Sequence, residues 1–398
     1  MVATSDRGHL ADSTHHSTTA HHSAQAAPHE VAVGLFRHYD ATDEVKAYYG
    51  VLAVYALARA ATEAGDDATV HHAETVVRRF PDEIPHPPYN FPSYRIGGIA
   101  HAFLSARGHL RDRADLLRHY ADEMMTATRD EKGILAMPGR PDLIWIDVAM
   151  ASAPFLMYAG QALNEPRYIE EAITQAVLMY DEFLDPDNGL LHQCKGFVAK
   201  GVLSQDHWGR GNGWGLFALA ELLRGLPAEY ERREEVVERF VALSRSLLPH
   251  QTGRGLWRQE ISMADAWEES SGSGLIVYCL GVGIQQGVLV GQEWRDAVSA
   301  GVHGLARWCV NTDFSTENSC PGTLCPGEGE ATGTPEAYVG LRAPFRDEPH
   351  GFAALILAMS VAHVVGIGSV RLRPCHQSEL YLSPLAPTTD EAPDVPGE

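Results

Sequence analysis

The sequence predicts an all-α fold, an (α/α)6 barrel in which helical hairpins close into a ring, with a few short strands. Helical periodicity recurs from about residue 43 onward, whereas strand-like alternation is scarce. Small, apolar, glycine-rich helical segments such as HGFAALILAM alternate with charged amphipathic ones such as RREEVVERFVALSRSL. An all-apolar helix is buried and an amphipathic helix lies at the surface, so the alternation indicates an inner ring within an outer ring.

A helical solenoid is the rival architecture for paired helices. The spacing of the pairs is unequal, and long polar loops always precede the apolar segments. Both features favour a closed ring with its functional site at one end.

The first predicted helix covers residues 43–65, because Asp43 and Glu44 suit a first turn and Gly65 suits a C-terminal stop. The later helical segments follow in the order 67–80, 93–108, 110–130, 145–164, 166–184, 211–227, 229–250, 271–289, 293–310 and 349–366. Short strands are expected at 189–194 and 378–383.

One barrel domain is predicted over residues 28–385, between a His/Ser/Thr-rich disordered tail at 1–27 and a flexible acidic tail at 386–398. The first tail has no apolar segment of the kind a secretory signal needs, so we expect a cytoplasmic protein. Its histidine pairs could bind metal weakly, although a solvated tail is the simpler interpretation.

The formal net charge of −21 argues against nucleic acid or an anionic membrane as a partner, because both require a positive surface. A few local cations would still suffice to hold an anionic sugar. We expect a monomer or homodimer. The six cysteines predict buried free thiols, with a metal or redox pair at Cys320 and Cys325 as the alternative.

Residues whose side chains could bind a ligand or take part in catalysis cluster in the loops before the apolar helices. Aromatic faces beside carboxylates and arginines are typical of a saccharide site, since rings pack on sugars while charged groups bind hydroxyls and carboxylates. The cluster comprises Trp145, Asp147, His192, His207, Trp208, Arg210, Trp214, Trp257, Trp267, Glu268, Glu269, Arg346, Asp347 and His350.

Asp147 is the strongest candidate for a catalytic residue in this set. It begins an apolar helix, so it is either a helix cap or a general acid whose pKa is raised by apolar surroundings. Arg210 lies among glycines in DHWGRGNGWG, where it suits a bidentate carboxylate contact or an internal ion pair. Trp214 fits either the core or a stacking surface.

His192 and His350 stand alone near element ends, where a structural role is the more frequent one. Neither belongs to a metal-binding pattern, so the sequence predicts no metal and no cofactor. The chain also lacks a nucleophile elbow, a dinucleotide fingerprint and a phosphate-binding loop.

Four blocks resemble the unsaturated glucuronyl and rhamnogalacturonyl hydrolases of glycoside hydrolase families 88 and 105. These blocks are WIDVAMASAPFLMYAGQALNEPRYIEEA, HWGRGNGWGLFALAELLRGLP, SSGSGLIVYCLGVGIQQGVL and PHGFAALILAM, and their order and spacing also match. RGNGW and the compact length resemble the rhamnogalacturonyl type, family 105.

The resemblance implies an (α/α)6 barrel that removes a terminal 4,5-unsaturated uronic acid from lyase-generated, pectin-type oligosaccharides. Such enzymes hydrate the C4=C5 double bond: an aspartic acid protonates C4, water adds to C5, and the resulting hemiketal opens to release the aglycone. By motif, Asp147 would be that acid and then the base for water. The resemblance requires neither a metal nor a covalent enzyme intermediate.

The resemblance also implies binding roles. Trp145 would wall the site, and His192 would lie near the sugar and the water. Arg210 and Trp214 would bind and stack on the uronate, with His350 at the rim of the site.

The sequence departs from this family in two places. The family's second aspartate is absent from NFPSYRIGGIAHAFL, where Asn90 and Ser93 stand nearby, and Gly-Trp-Asp after the histidine is replaced by Gln193, Cys194 and Lys195. Two alternatives therefore stay open. One is a catalytically lapsed barrel that binds acidic oligosaccharides. The other is a different barrel enzyme, such as an epimerase or a lyase, which would need a His or Tyr base pair facing the sugar.

Overall fold

Buried and amphipathic helices alternate along the chain in the computed structural model, which describes residues 25–41, 45, 47–85, 91–341 and 346–375. The predicted tails (apart from residues 25–27), Asp43, Glu44, Asn90 and the strand at 378–383 lie outside the described residues. The described α-helices are α1 Pro28–Asp40, α2 Tyr48–Ala64, α3 Asp67–Arg78, α4 Gly98–Ala106, α5 Ala114–Met125, α6 Asp147–Leu163, α7 Pro166–Phe183, α8 Gly209–Gly225, α9 Arg233–Leu247, α10 Ser270–Gln285, α11 Gln292–Cys309, α12 Pro335–Val339 and α13 His350–Ser360.

The inner ring closes on itself. Helices α2, α4, α6, α8, α10 and α13 each contact the next, and α13 returns to contact α2. Helices α1, α3, α5, α7, α9 and α11 pack outside them. The inner helices are buried nearly all round, as in α10, whereas an outer helix such as α9 buries one face. The predicted (α/α)6 barrel is confirmed.

All six inner helices run in the same direction, because each follows an outer helix that runs the opposite way. Their first turns meet at one end of the barrel, which we call the mouth. Toward the other end, the buried Glu221 carboxylate accepts hydrogen bonds from Tyr158, at 2.6 Å, and Arg59, at 3.2 Å. This buried polar cluster joins α2, α6 and α8 toward the end opposite the mouth.

Three pairs of two-residue strands join loops of the barrel, and two of the pairs lie at the mouth. The strands are β1 Gln25–Ala26, β2 Ile144–Trp145, β3 Cys194–Lys195, β4 Trp257–Arg258, β5 Glu268–Glu269 and β6 Val370–Arg371. The antiparallel pairs are β1–β6, β2–β3 and β4–β5. Since β2 leads into α6 and β5 leads into α10, these pairs hold the starts of two inner helices. The predicted strand at 189–194 is present as its last residue, Cys194, in β3.

Two boundaries near the N-terminus differ from the sequence prediction. The chain forms α1 before the first predicted helix, with Pro28 in its first turn and Val31, Leu35 and Tyr39 on its buried face. Gln25 and Ala26, assigned to a tail over residues 1–27, instead pair with the strand Val370–Arg371. Backbone pairing with a distant segment leaves little trace in local sequence.

All six cysteines are free thiols, and four of them are buried. The Cys325 thiol interacts with Cys194, whereas the Cys320 sulfur lies 3.9 Å from the Gln259 amide oxygen. The alternative pair of Cys320 and Cys325 is therefore not the pair that the fold brings together. Among the described helices, none combines the length and apolar character needed to span a lipid bilayer.

Candidate active site

The mouth is built from the first turns of inner helices. Tyr48 is the first residue of α2, Asp147 of α6 and His350 of α13, while Arg210 follows the first residue of α8. Because the inner helices are parallel, these positions converge even though three hundred residues separate the first from the last. Asp147, Arg210 and His350 are site residues that the sequence predicts, whereas Tyr48 is one that it does not.

Asp147 is partly open to the mouth but surrounded by protein. Burial raises the pKa of its carboxyl from 3.8 to about 6, and the Arg210 guanidinium and the Trp214 indole limit the rise. Its Oδ2 atom is buried without a hydrogen-bond partner among the described residues. Ile146, not Asp147, occupies the cap position of α6, so the capping alternative does not hold. Asp147 is an acid with a neutral-range pKa and an uncommitted oxygen.

Arg210 is only 1% exposed and ties α8 to the segment that crosses the mouth. Its Nη1 donates to the Ser271 hydroxyl at 2.9 Å and to the Cys320 carbonyl, and its Nη2 donates to the Pro321 carbonyl at 3.1 Å. The guanidinium also lies 4.4 Å from the Trp208 ring. These hydrogen-bond partners are neutral, and the buried Glu269 and Glu348 carboxylates act on the guanidinium electrostatically.

A hydrogen-bonded chain of three side chains crosses the mouth. Glu348 Oε1 lies 2.6 Å from Nδ1 of His350, and Nε2 of His350 contacts the Tyr48 hydroxyl in a short hydrogen bond. Burial lowers the pKa of His350, so its ring is neutral. If Nδ1 donates to the carboxylate, Nε2 accepts from Tyr48. Burial raises the Tyr48 pKa, and both Arg210 and Asp147 act on it electrostatically, so the chain ends beside the acid.

Aromatic side chains line one wall of the mouth. Trp145 is half-buried and lies 5.7 Å, centroid to centroid, from Phe91. Trp214 exposes only 2% of its surface, which favours the core alternative over an open stacking surface. Its contribution to the site is the indole beside the Asp147 carboxyl. Of the two tryptophans predicted to contact sugar, Trp145 is the accessible one.

Ser93 does not replace the aspartate that the resemblance leads one to expect. Its side chain is fully buried, and its hydroxyl donates to the Ala151 carbonyl at 3.0 Å. The neighbouring Tyr94 ring packs 6.2 Å from Tyr48, and its hydroxyl lies 3.7 Å from the Met150 sulfur. No carboxylate enters the mouth from this described stretch, and the tyrosines that interact electrostatically with Asp147 are Tyr48 and Tyr94.

His192 lies in a separate cluster on the same side of the barrel. Its ring is 5.1 Å from that of His207, and Asp185 is hydrogen bonded to His207 at 2.9 Å. The backbone connects this cluster to the acid, because the Ile146 amide donates to the Gln193 carbonyl at 2.9 Å. This cluster holds a donor set that a metal ion could use.

The missed site residues share one signal. Tyr48 and Glu348 occupy the start of an inner helix or the loop just before it, as do Asp147, Arg210 and His350. A search of every inner-helix first turn would have found Tyr48. The Glu348 contact with His350 depends on side-chain geometry that sequence does not give.

Most of the chain matches the model of a known protein family. Residues 19–363 match the model described as Glycosyl Hydrolase Family 88. An unsaturated 3S-rhamnoglycuronyl hydrolase of Formosa agariphila is 29% identical over 172 residues, 41% of this chain and 46% of that protein. A protein of the same name from an Alteromonas species is 25% identical over 41% of this chain and 40% of its own length. Each match spans less than half of these relatives.

Solved structures share the fold. A protein of Klebsiella pneumoniae described as a possible member of the GH105 family superposes with a TM-score of 0.73 at 16% sequence identity. The superposition covers 85% of this chain and 92% of that one. At this identity the likeness concerns the barrel architecture, which extends over nearly the whole of both chains.

Proposed function

Because this chain belongs to glycosyl hydrolase family 88, we propose that it removes the terminal 4,5-unsaturated uronic acid from lyase-generated oligosaccharides by hydrating the C4=C5 double bond. The observation that carries the proposal is Asp147, whose pKa of about 6 leaves a share of the carboxyl protonated near neutral pH. A general acid with a pKa close to the working pH is the most effective kind. The Arg210 charge next to it suits the substrate carboxylate.

In the proposed reaction the Asp147 proton goes to C4, and positive charge develops at C5 and the ring oxygen. A water molecule adds its oxygen to C5 and returns a proton to the Asp147 carboxylate. The hemiketal then opens at the bond between C5 and the ring oxygen, leaving a ketone at C5. The aglycone alcohol departs from C1, so all atoms are accounted for by one added water.

The substrate carboxylate is proposed to lie against Arg210. A buried guanidinium acts through a low local dielectric, and its Nε atom has no hydrogen-bond partner among the described residues. Trp145 would pack on the sugar ring, and His192 would lie near the sugar and the attacking water. His350 would act through Tyr48 at the rim.

We assign a water-positioning role to Tyr48, in place of the aspartate that this chain lacks. Its hydroxyl donates to His350, so the lone pairs of its oxygen are free to orient the attacking water. The Glu348 carboxylate, 2.6 Å from Nδ1 of His350, would keep Nε2 of that ring as the acceptor for the Tyr48 hydroxyl. This chain of three groups makes a lapsed barrel the weaker alternative.

The same Tyr48–His350 pair supports a second candidate function, a lyase or epimerase acting on a uronate. Such enzymes abstract the proton next to the carboxylate, and a tyrosine that shares a proton with a histidine suits that step. In this reaction Asp147 would not be the critical residue. The two candidates differ in what happens to the C4=C5 chromophore.

The test is ultraviolet absorbance of the chromophore, with unsaturated disaccharides and with intact uronate polymers. The hydrolase proposal expects absorbance to fall with the disaccharide for the unmodified chain and to stay constant for Asp147→Asn. Asp142→Asn is the matched control, because Asp142 is exposed and pairs with Arg140. Rising absorbance with a polymer would identify a lyase. An equal loss of absorbance with Asp147→Asn and with Asp142→Asn would overturn the role of Asp147.

The segment at 311–340 is proposed to influence aglycone choice. It supplies the Cys320 and Pro321 carbonyls that hold Arg210, and a carbon of the His350 ring would lie 3.3 Å from a Cβ built on Gly322. A segment in this position borders the space where the sugar beyond the uronate would extend.

A further inference from the structure

Asp185, His192 and His207 bring three potential metal ligands together at the side of the mouth. One ligand atom from each lies within 4.8 Å of the others. The closest pair is Oδ2 of Asp185 and Nε2 of His207, at 2.9 Å. The two imidazole rings are 5.1 Å apart and inclined by 32°. Two imidazoles and a carboxylate are a ligand set that zinc and similar ions favour.

The backbone holds these side chains in place through three separate segments. Asp185 follows α7 and accepts from the Asp187 amide at 3.0 Å. The His192 amide donates to the Phe183 carbonyl at 2.9 Å. The His207 amide donates to a Glu260 carboxylate oxygen at 2.8 Å. Because each of the three segments is fixed by a hydrogen bond from a backbone amide, bringing the ligands together requires little further ordering.

Both rings have unused hydrogen-bonding capacity. Nδ1 of His192 and Nδ1 of His207 are buried and lack a partner in the part of the chain that the structure describes. An ordinary Asp–His ion pair would account for His207 but not for the second ring.

We propose that Asp185, His192 and His207 form a binding site for a divalent transition metal ion, with zinc as the best match. Zinc bonds of about 2.0–2.1 Å to nitrogen and 2.0–2.2 Å to oxygen put two ligands of a tetrahedral ion about 3.3 Å apart. The ion replaces the proton shared by Asp185 and His207, and water takes the fourth position. The site goes beyond the proposed sugar chemistry and shares only His192 with the proposed substrate site.

The experiment is titration of the full chain with Co²⁺, followed by visible absorption, and with Zn²⁺, followed by calorimetry. A tetrahedral cobalt site gives an intense visible band. We expect the band and tight zinc binding in the unmodified chain, and loss of the band with an affinity drop of about 100-fold in His207→Gln. His303→Gln, which changes an exposed histidine of α11, is the matched control.

The histidine pairs near the N-terminus need a control of their own. A variant with His15, His16, His21 and His22 changed to Ser should keep the band and the tight zinc site. Loss of both in this variant, or their persistence in His207→Gln, overturns the proposal. If circular dichroism shows that His207→Gln does not fold, Asp185→Asn replaces it as the test variant. Its zinc affinity is expected to fall by about 10–100-fold. These titrations use no sugar, so their outcome is independent of the outcome of the chromophore test.

Discussion

At the scale of single residues, the Asp147 proton sets the pH dependence of the proposed reaction. Protonation of C4 needs the neutral acid, whose pKa is about 6 because the carboxyl is buried. We therefore predict that kcat/KM falls about tenfold per pH unit above that value. A pH–rate profile with an unsaturated disaccharide checks this. If the high-pH limb of this profile gave a pKa two or more units away from about 6, the acid would be a group other than Asp147.

The same raised pKa predicts an effect on stability. The folded state holds the Asp147 proton more tightly than the unfolded chain, so the carboxylate destabilises the fold as pH rises from about 4 to about 6. Asp147→Asn removes this penalty. We expect its free energy of unfolding to exceed that of the unmodified chain by about 2 kcal/mol above pH 6, a figure reduced for partial exposure. Denaturant unfolding across pH measures it, and a difference independent of pH would contradict the assignment.

Tyr48 is expected to matter through its hydroxyl and not through its ring. Tyr48→Phe keeps the packing but removes the donor to His350, so we predict that kcat falls by about 100-fold with KM little changed. Tyr49→Phe is the matched control, because Tyr49 packs on the same His350 ring at 4.9 Å. Equal activity of the two variants would reduce Tyr48 to a packing residue.

For single residues, the sequence predicts a role only from chemical type and position along the chain. Asp147 and Arg210 stood out because charged groups interrupt apolar or glycine-rich helix starts. Whether Asp147 caps its helix or acts as an acid depended on one residue of register, which the sequence could not give. The burial of Trp214 was equally inaccessible, because it is set by neighbouring helices.

At the scale of elements, the inner helices approach each other closely through small residues. A Cβ built on Gly274 of α10 would lie 2.6 Å from the Ala354 backbone of α13. Gly274→Ala must therefore push two inner helices apart, and we expect a loss of about 2 kcal/mol or more in unfolding free energy. Gly253→Ala, in an exposed loop with open space around it, should change stability by less than about 0.5 kcal/mol. Denaturant unfolding of both variants checks the packing.

The elements that the sequence predicted best are the long helices, because their apolar period extends over several turns. Helix α1 was missed although Val31, Leu35 and Tyr39 give it a helical face, since its start adjoins a low-complexity tail. The two-residue strands could not be predicted as pairs. Trp145 and Cys194, for example, are partners separated by almost fifty residues.

At the scale of the whole molecule, six parallel inner helices direct their N-termini to the mouth. Each helix N-terminus carries a partial positive charge, which favours an anion there. The opposite end receives the six C-termini and carries Arg59, Arg107 and Arg224 around a cavity of about 300 Å³. The formal net charge of −21 therefore does not prevent the mouth from attracting a uronate.

Ring closure was predictable from the alternation of helix types, and the single-ended site followed from the polar loops before the inner helices. The contact between α13 and α2 confirms the closure. The meeting of Tyr48 with His350 required that closure, because the two residues lie at opposite ends of the chain. Local sequence carries no signal of such a contact.

The most direct test of the central claim is the position of isotopes in the product. The unmodified chain and Asp147→Asn would be incubated with an unsaturated disaccharide in deuterium oxide and, separately, in heavy-oxygen water. Hydration predicts one deuterium at C4 and the heavy oxygen in the C5 ketone, with an unlabelled aglycone and no product from Asp147→Asn. Heavy oxygen at C1 or in the aglycone, with the C4=C5 bond intact in the released uronate, would contradict it.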